Sequence, residues 1–147
     1  MLLDALPDDA LLVTICGSNR ALEHALSELD APDKLRVLGF TDRMEDYMDA
    51  ADLFLTKAGG LSITEAAHKR VPMLLINAVP GVESRNLEFM AGLGCAIAAN
   101  SPASLAAGVT SALESPALRD SLSRCCEQEF QTDSARRIHE ILRAMVP

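Results

Sequence analysis

Five short apolar runs, each followed by a segment of helical periodicity, restrict this chain to a small set of folds. Leu11-Leu12-Val13-Thr14-Ile15-Cys16 is unbroken by a charge and stops at Gly17, as a strand buried on both faces does. Four more runs follow: Leu35 to Phe40, Asp52 to Thr56, Val71 to Ile76 and Gly94 to Ala99. Between them lie helices over about Arg20–Leu29, Met44–Ala50, Ser62–Arg70 and Ser84–Leu93. In the first of these Ala21, Leu22, Ala25, Leu26 and Leu29 recur at helical spacing. Strict strand-helix alternation is the pattern of a parallel sheet with helices on both faces, and the expected fold class is a Rossmann-like three-layer α/β domain.

The rest of the chain is helical. Ser101-Pro102 and Ser115-Pro116 each set a capping hydroxyl before a proline at the first helical position. A last helix from about Asp133 carries Ile138, Ile141, Leu142 and Met145 on one stripe. Asp42 with Glu45, and Ser62 with Glu65, have the spacing of capping boxes. Asn77 to Glu83, containing Pro80-Gly81, reads as a loop. A length of 147 residues fits one domain, and no linker or repeat divides it.

Composition removes several functions. The net charge is −8, and no segment concentrates Lys and Arg enough to neutralise a run of phosphates, which argues against a nucleic-acid partner and against this segment docking on an anionic membrane by itself. Aromatic residues are only 3% with no Trp, so sugar recognition has to be mostly polar. The apolar runs fall far short of the ~20 residues that span a bilayer, and the acidic N-terminus is no signal peptide, which gives a cytoplasmic reading. Cys16, Cys95, Cys125 and Cys126 lack metal or redox spacing and read as four reduced, buried or half-buried thiols. His24, His68 and His139 are scattered, Asp-x-Asp is absent, and neither a metal nor another cofactor is expected.

In an open parallel sheet the ligand crevice lies beyond the carboxyl ends of the strands. The loops with unusual composition all fall there: Gly17-Ser18-Asn19, Phe40-Thr41-Asp42, Lys57-Ala58-Gly59-Gly60 and Ala78 to Glu83. Gly59-Gly60 suits a phosphate, because bare backbone approaches an anion closely and the next helix presents free N–H groups; a plain tight turn is the alternative. The pair belongs to neither a Walker loop nor a Gly-x-Gly-x-x-Gly fingerprint. Glu65 is either the carboxylate of a capping box or an acceptor for ribose hydroxyls.

The stretch Ala51-Asp52-Leu53-Phe54-Leu55-Thr56-Lys57-Ala58-Gly59-Gly60-Leu61-Ser62-Ile63-Thr64-Glu65-Ala66, with Pro80-Gly81-Val82-Glu83-Ser84-Arg85-Asn86, resembles the C-terminal domain of GT-B glycosyltransferases. The branch it resembles contains the monogalactosyldiacylglycerol synthases and processive diacylglycerol glucosyltransferases, with the lipid II N-acetylglucosaminyltransferase a more distant relative. The turns at Cys16-Gly17-Ser18-Asn19 and Gly39-Phe40-Thr41-Asp42-Arg43-Met44 fit as well, so the likeness covers the chain after Asp9. It implies that Gly17 lets the first loop approach the donor, that Phe40 and Met44 hold the uracil, partly through backbone contacts, that Gly59, Gly60 and Ser62 hold the diphosphate and that Glu65 holds the ribose of a UDP-sugar. Glu83 and Asn86 would meet the sugar hydroxyls. Taken singly, Phe40 and Met44 also read as core, Gly17 as a turn, Glu83 as a solvated charge and Asn86 as an exposed helix residue. Relatives often carry Pro where this chain has Ala58, which implies a less rigid entry to the Gly pair.

The implied reaction is an inverting, metal-independent transfer of a hexose from UDP-glucose or UDP-galactose to a diacylglycerol-type lipid. The resemblance also implies an N-terminal acceptor domain, absent here, that supplies the base and the membrane contact, so that this chain alone is inactive. The full enzyme would be peripheral on the inner face of the membrane. A nucleotide-sugar 2-epimerase fragment, a transferase with a soluble acceptor, and a non-catalytic UDP-sugar-binding subunit or sensor remain open on the same fold.

Overall fold

A computed structural model describes residues 2–76, 81–130 and 133–145. Five strands alternate with helices: β1 (Leu12–Ile15), α1 (Arg20–Ser27), β2 (Leu35–Leu38), α2 (Met44–Ala50), β3 (Phe54–Lys57), α3 (Gly60–His68), β4 (Met73–Ile76), α4 (Val82–Leu93) and β5 (Ala96–Ala99). Three helices complete the chain, α5 (Pro102–Glu114), α6 (Pro116–Glu129) and α7 (Ser134–Met145), and a 3-10 turn at Leu2–Ala5 precedes β1. All pairings are parallel, β1 with β2, β3 with β4 and β4 with β5.

The period of two along the strands sorts side chains into two cores. Phe54, Met73, Leu75, Ala96 and Ala98 face a large cluster shared with Met48 of α2, Ile63, Ala66 and Ala67 of α3, Leu87 and Met90 of α4, and Cys126 of α6. Leu55, Leu74 and Ile97 face the opposite cluster, with Leu105 and Val109 of α5 and Leu2, Leu3 and Leu6 from the N-terminal turn. Helices therefore cover both faces, the three-layer α/β class read from the alternation. Gly108 explains how close α5 lies: a Cβ there would meet Leu74 Cδ1 at 2.7 Å, so any larger residue would force the Leu74 side chain to shift.

The sheet is divided where the sequence implies one continuous layer. β1–β2 forms one ladder and β3–β4–β5 another. Leu12, Leu53 and Leu55 pack on the same cluster, so the two pieces meet through side chains along a seam without ladder hydrogen bonds. Apolar runs identify strands, but they carry no information on which neighbour each strand pairs with.

Both serine-proline starts form as read: Ser101 Oγ accepts from Ser104 N and Ser115 Oγ from Leu118 N. The two proposed capping boxes do not form. Arg43 is the N-cap of α2, and it is Thr41 Oγ1, not Asp42, that accepts from the backbone there, at Arg43 N. α3 starts two residues earlier than its hydroxyl suggested, with Gly59 as N-cap, so Ser62 is already inside the helix and Glu65 cannot act as a box partner. The same helix stops at His68 because Arg70 turns left-handed, at φ 58°, and Arg70 N and Val71 N cap back onto Ala67 O and Ala66 O. Most of the loop expected over Asn77 to Glu83 lies outside the described residues; of the remainder, Val82 and Glu83 are helical, with Gly81 at φ 107° as N-cap.

The four-thiol reading is also corrected. Cys95 and Cys125 are bonded at 2.05 Å, leaving Cys16 and Cys126 free. α6 folds back so that residues 30 apart in sequence have Cα atoms 5.1 Å apart, a proximity that no short-range spacing rule can see. Among the described residues no helix is long and apolar enough to cross a membrane.

Candidate functional site

The nine residues singled out from sequence fall into three groups at the carboxyl ends of the strands. The first joins Gly17 and Phe40. Past the ends of β1 and β2 the parallel pairing continues, with Cys16 N donating to Leu38 O and Gly17 N to Gly39 O at 3.2 Å. Gly17 has φ 58°, a conformation that favours glycine, and this turns the chain towards α1 while keeping it beside the Phe40 peptide. Phe40 itself is 78% exposed, which removes its reading as core.

The second group is the groove between α2 and α3, of about 470 Å³, lined by Met44, Met48, Thr64, Glu65 and His68 with Asp42, Glu45 and Lys69 at its edges. Met44 leans on the core and also lines the groove, so both of its readings describe it. With Ile63, Ala66 and Ala67 turned to the core, helical spacing leaves Thr64, Glu65 and His68 on the open face. No hydrogen bond or ion pair to another described residue occupies the Glu65 carboxylate.

The third group surrounds the Gly pair. Neither glycine needs unusual dihedrals: Gly59 sits at φ −74°, ψ 132°, and Gly60 is the first helical residue. What their lack of side chain provides is open space. A Cβ on Gly60 would meet nothing within 4 Å, and no side chain caps α3, so the first-turn N–H groups, through Ser62, have no intrahelical partner. Such an end carries partial positive charge and suits an anion. Asn86 Nδ2 donates to Ala58 O at 2.9 Å, while Ala58 is fully buried. The entry to the pair is thus pinned by α4 despite the alanine, and Asn86 retains Oδ1 for other partners. Glu83 lies beside Gly59, its Oε1 2.6 Å from Lys57 Nζ.

Lys57 is the residue missed by the sequence reading. The sequence offers it only as part of the loop Lys57-Ala58-Gly59-Gly60, and its partner Glu83 stands 26 positions away. Among the described residues no three His, Cys, Asp or Glu side chains gather as a set of metal ligands.

Fold and site geometry together define a Rossmann-like α/β domain with the uncapped N-terminus of α3 beyond the carboxyl end of β3. The profile of the family described as glycosyl transferases group 1 matches residues 1–128, and the chain belongs to that family. Over 108 residues it is 40% identical to the processive diacylglycerol beta-glucosyltransferase of Bacillus subtilis (strain 168), covering 72% of this chain and 28% of the relative. It is 35% identical over 91 residues to monogalactosyldiacylglycerol synthase 2 of Arabidopsis thaliana, covering 62% of this chain and 19% of that one. The chain thus spans less than a third of the length of these relatives. Among solved structures, Acinetobacter baumannii MurG superposes with a TM-score of 0.81 at 21% identity, over 97% of this chain and 43% of that one. Anabaena Alr3699/HepE, solved in complex with UDP, superposes at 0.68 and 17% identity, over 97% and 44%. At such identities the two structures establish the GT-B type of fold and nothing finer.

Proposed function

We propose that this chain is the donor-binding domain of an inverting glycosyltransferase that moves a hexose from a UDP-sugar to a diacylglycerol-type lipid. The observation that carries the reading is the uncapped start of α3: a bare Gly60 just beyond β3, with Glu65, whose carboxylate has no partner among the described residues, farther along the same helix. The diphosphate lies on the first-turn N–H groups, the ribose reaches Glu65, and the uracil extends into the groove beside Met44 and towards Phe40. The names of the Bacillus and Arabidopsis relatives support a diacylglycerol acceptor, and the UDP in the Anabaena structure supports the nucleotide.

Chemically, an acceptor hydroxyl attacks the anomeric carbon, the bond from that carbon to the phosphate oxygen breaks, and the electron pair leaves with UDP. The dipole and N–H groups of α3 stabilise the charge that grows on the diphosphate, without a metal ion. Deprotonation of the acceptor, and attachment to the inner face of the membrane, belong to an acceptor-binding half of the full-length enzyme. This domain alone binds donor and does not turn over.

Titration of UDP into this chain by calorimetry tests the reading. Saturable binding that is unchanged by EDTA is expected, and Glu65→Ala weakens it by about tenfold, the loss of a hydrogen bond to a charged group. No heat up to millimolar UDP would refute donor binding, and an unchanged affinity in a folded Glu65→Ala variant would remove the ribose role.

A further inference from the structure

Glu83 is an unusual carboxylate for an acidic, well-solvated chain. Its side chain is 14% exposed, Oε1 is taken by Lys57, and Oε2 is buried with no partner among the described residues. Lys57 ends β3, is 58% exposed, and reaches across to the first turn of α4 to make the pair. Both side chains lie against Gly59: a Cβ there would sit 3.8 Å from Lys57 Cε and 3.9 Å from Glu83 Oε1, so the pair borders the backbone that opens α3.

From this arrangement we infer that Lys57 is the positioning residue for the sugar end of the donor, holding Glu83 oriented so that Oε2 accepts a hydrogen bond from a hexose hydroxyl. The physical reason is the mismatch between the two oxygens. A buried carboxylate oxygen without a donor is costly, and the charge-assisted hydrogen bond on the other oxygen fixes the direction in which it points. A hydroxyl of the hexose, joined to the diphosphate one bond beyond the Gly pair, supplies the missing donor. Lys57 itself touches neither the phosphates nor the sugar; it acts through Glu83.

This inference rests on the donor-binding reading, and its test separates the two. UDP and UDP-glucose are titrated by calorimetry into the wild type, Lys57→Ala, Lys57→Arg, Glu83→Gln and the Lys57→Ala/Glu83→Gln double variant, with thermal melts confirming that each is folded. Lys57→Ala and Glu83→Gln are each expected to lower the UDP-glucose to UDP affinity ratio by about tenfold, the loss of one charge-assisted hydrogen bond. The double variant should fall no further than either single one, and Lys57→Arg should recover most of the ratio.

A loss of equal size for UDP and UDP-glucose in Lys57→Ala would assign Lys57 to the diphosphate and overturn the inference. An unchanged ratio in Lys57→Ala, or additive losses in the double variant, would overturn it too. Wild type that binds no UDP refutes the donor reading, and the inference with it. Should Lys57→Ala fail to fold, Lys57→Gln, of similar length and without charge, takes its place with the same expected ratio.

Discussion

Gly60 separates conformational from spatial reasons for a glycine. As the first residue of α3 it has ordinary helical geometry, and a methyl group there would project into open space. Gly60→Ala is therefore expected to hold or raise thermal stability, by up to about 1 kcal/mol from helix propensity. The same methyl obstructs the approach of a phosphate, so UDP affinity should drop by about tenfold or more. Melting curves and calorimetry on one preparation check both directions, and a variant that loses stability or keeps its affinity contradicts the account. At this scale the Gly pair and the strand-end loops were legible in the sequence because chain punctuation is local chemistry. The role of Ser62 was not: a hydroxyl before an apolar run looks like a cap, yet Gly59 takes that position and frees Glu65 for the groove. Nor was the pairing of Glu83 with Lys57, which depends on β3 and α4 meeting 26 residues apart.

At the level of elements, α6 joins covalent and titratable chemistry on neighbouring residues. Cys125 bonds Cys95, the residue before β5, while Cys126 is fully buried in the main core cluster that also holds Leu87 and Met90. Burial disfavours the thiolate and pushes Cys126 from 9.0 up to about 11. Because the folded-state value is the higher one, the neutral thiol's contribution to stability is complete below about pH 9 and is lost as pH rises through about 11. Urea unfolding of wild type should therefore weaken by about 2 kcal/mol more than that of Cys126→Ala between about pH 9 and about pH 11. Parallel slopes for the two proteins would mean that the thiol is solvated after all. The helices themselves were well marked, since proline and serine signals fixed the starts of α5 and α6. Their packing was not, because the bond between α6 and β5 reflects a fold-back that sequence spacing does not encode.

For the whole molecule, the divided sheet governs how the candidate site can move. Leu12 N and Cys16 N donate to the β2 side, which by strand alternation points the amides of Val13 and Ile15 at the seam; Phe54 N donates to the β4 side, which points Leu55 N there as well. In amide exchange, Val13, Ile15 and Leu55 are expected to lose protection ahead of Leu12 and Phe54, a difference that uniform protection along both strands would exclude. The three-layer class was readable from alternation alone, whereas this break was invisible, because a run of apolar residues looks the same on either side of it.

Gly17 and Phe40 are rooted in the two-stranded piece, and Gly59, Gly60 and Glu83 in or beside the three-stranded one. Among the described residues no ladder hydrogen bond joins the two pieces, and contacts such as those of Leu12 in the shared cluster hold them together. A molecule lodged between the two walls would act as a splint, and its grip would register as slower exchange in β1 and β3, far along the strands from any atom it touches.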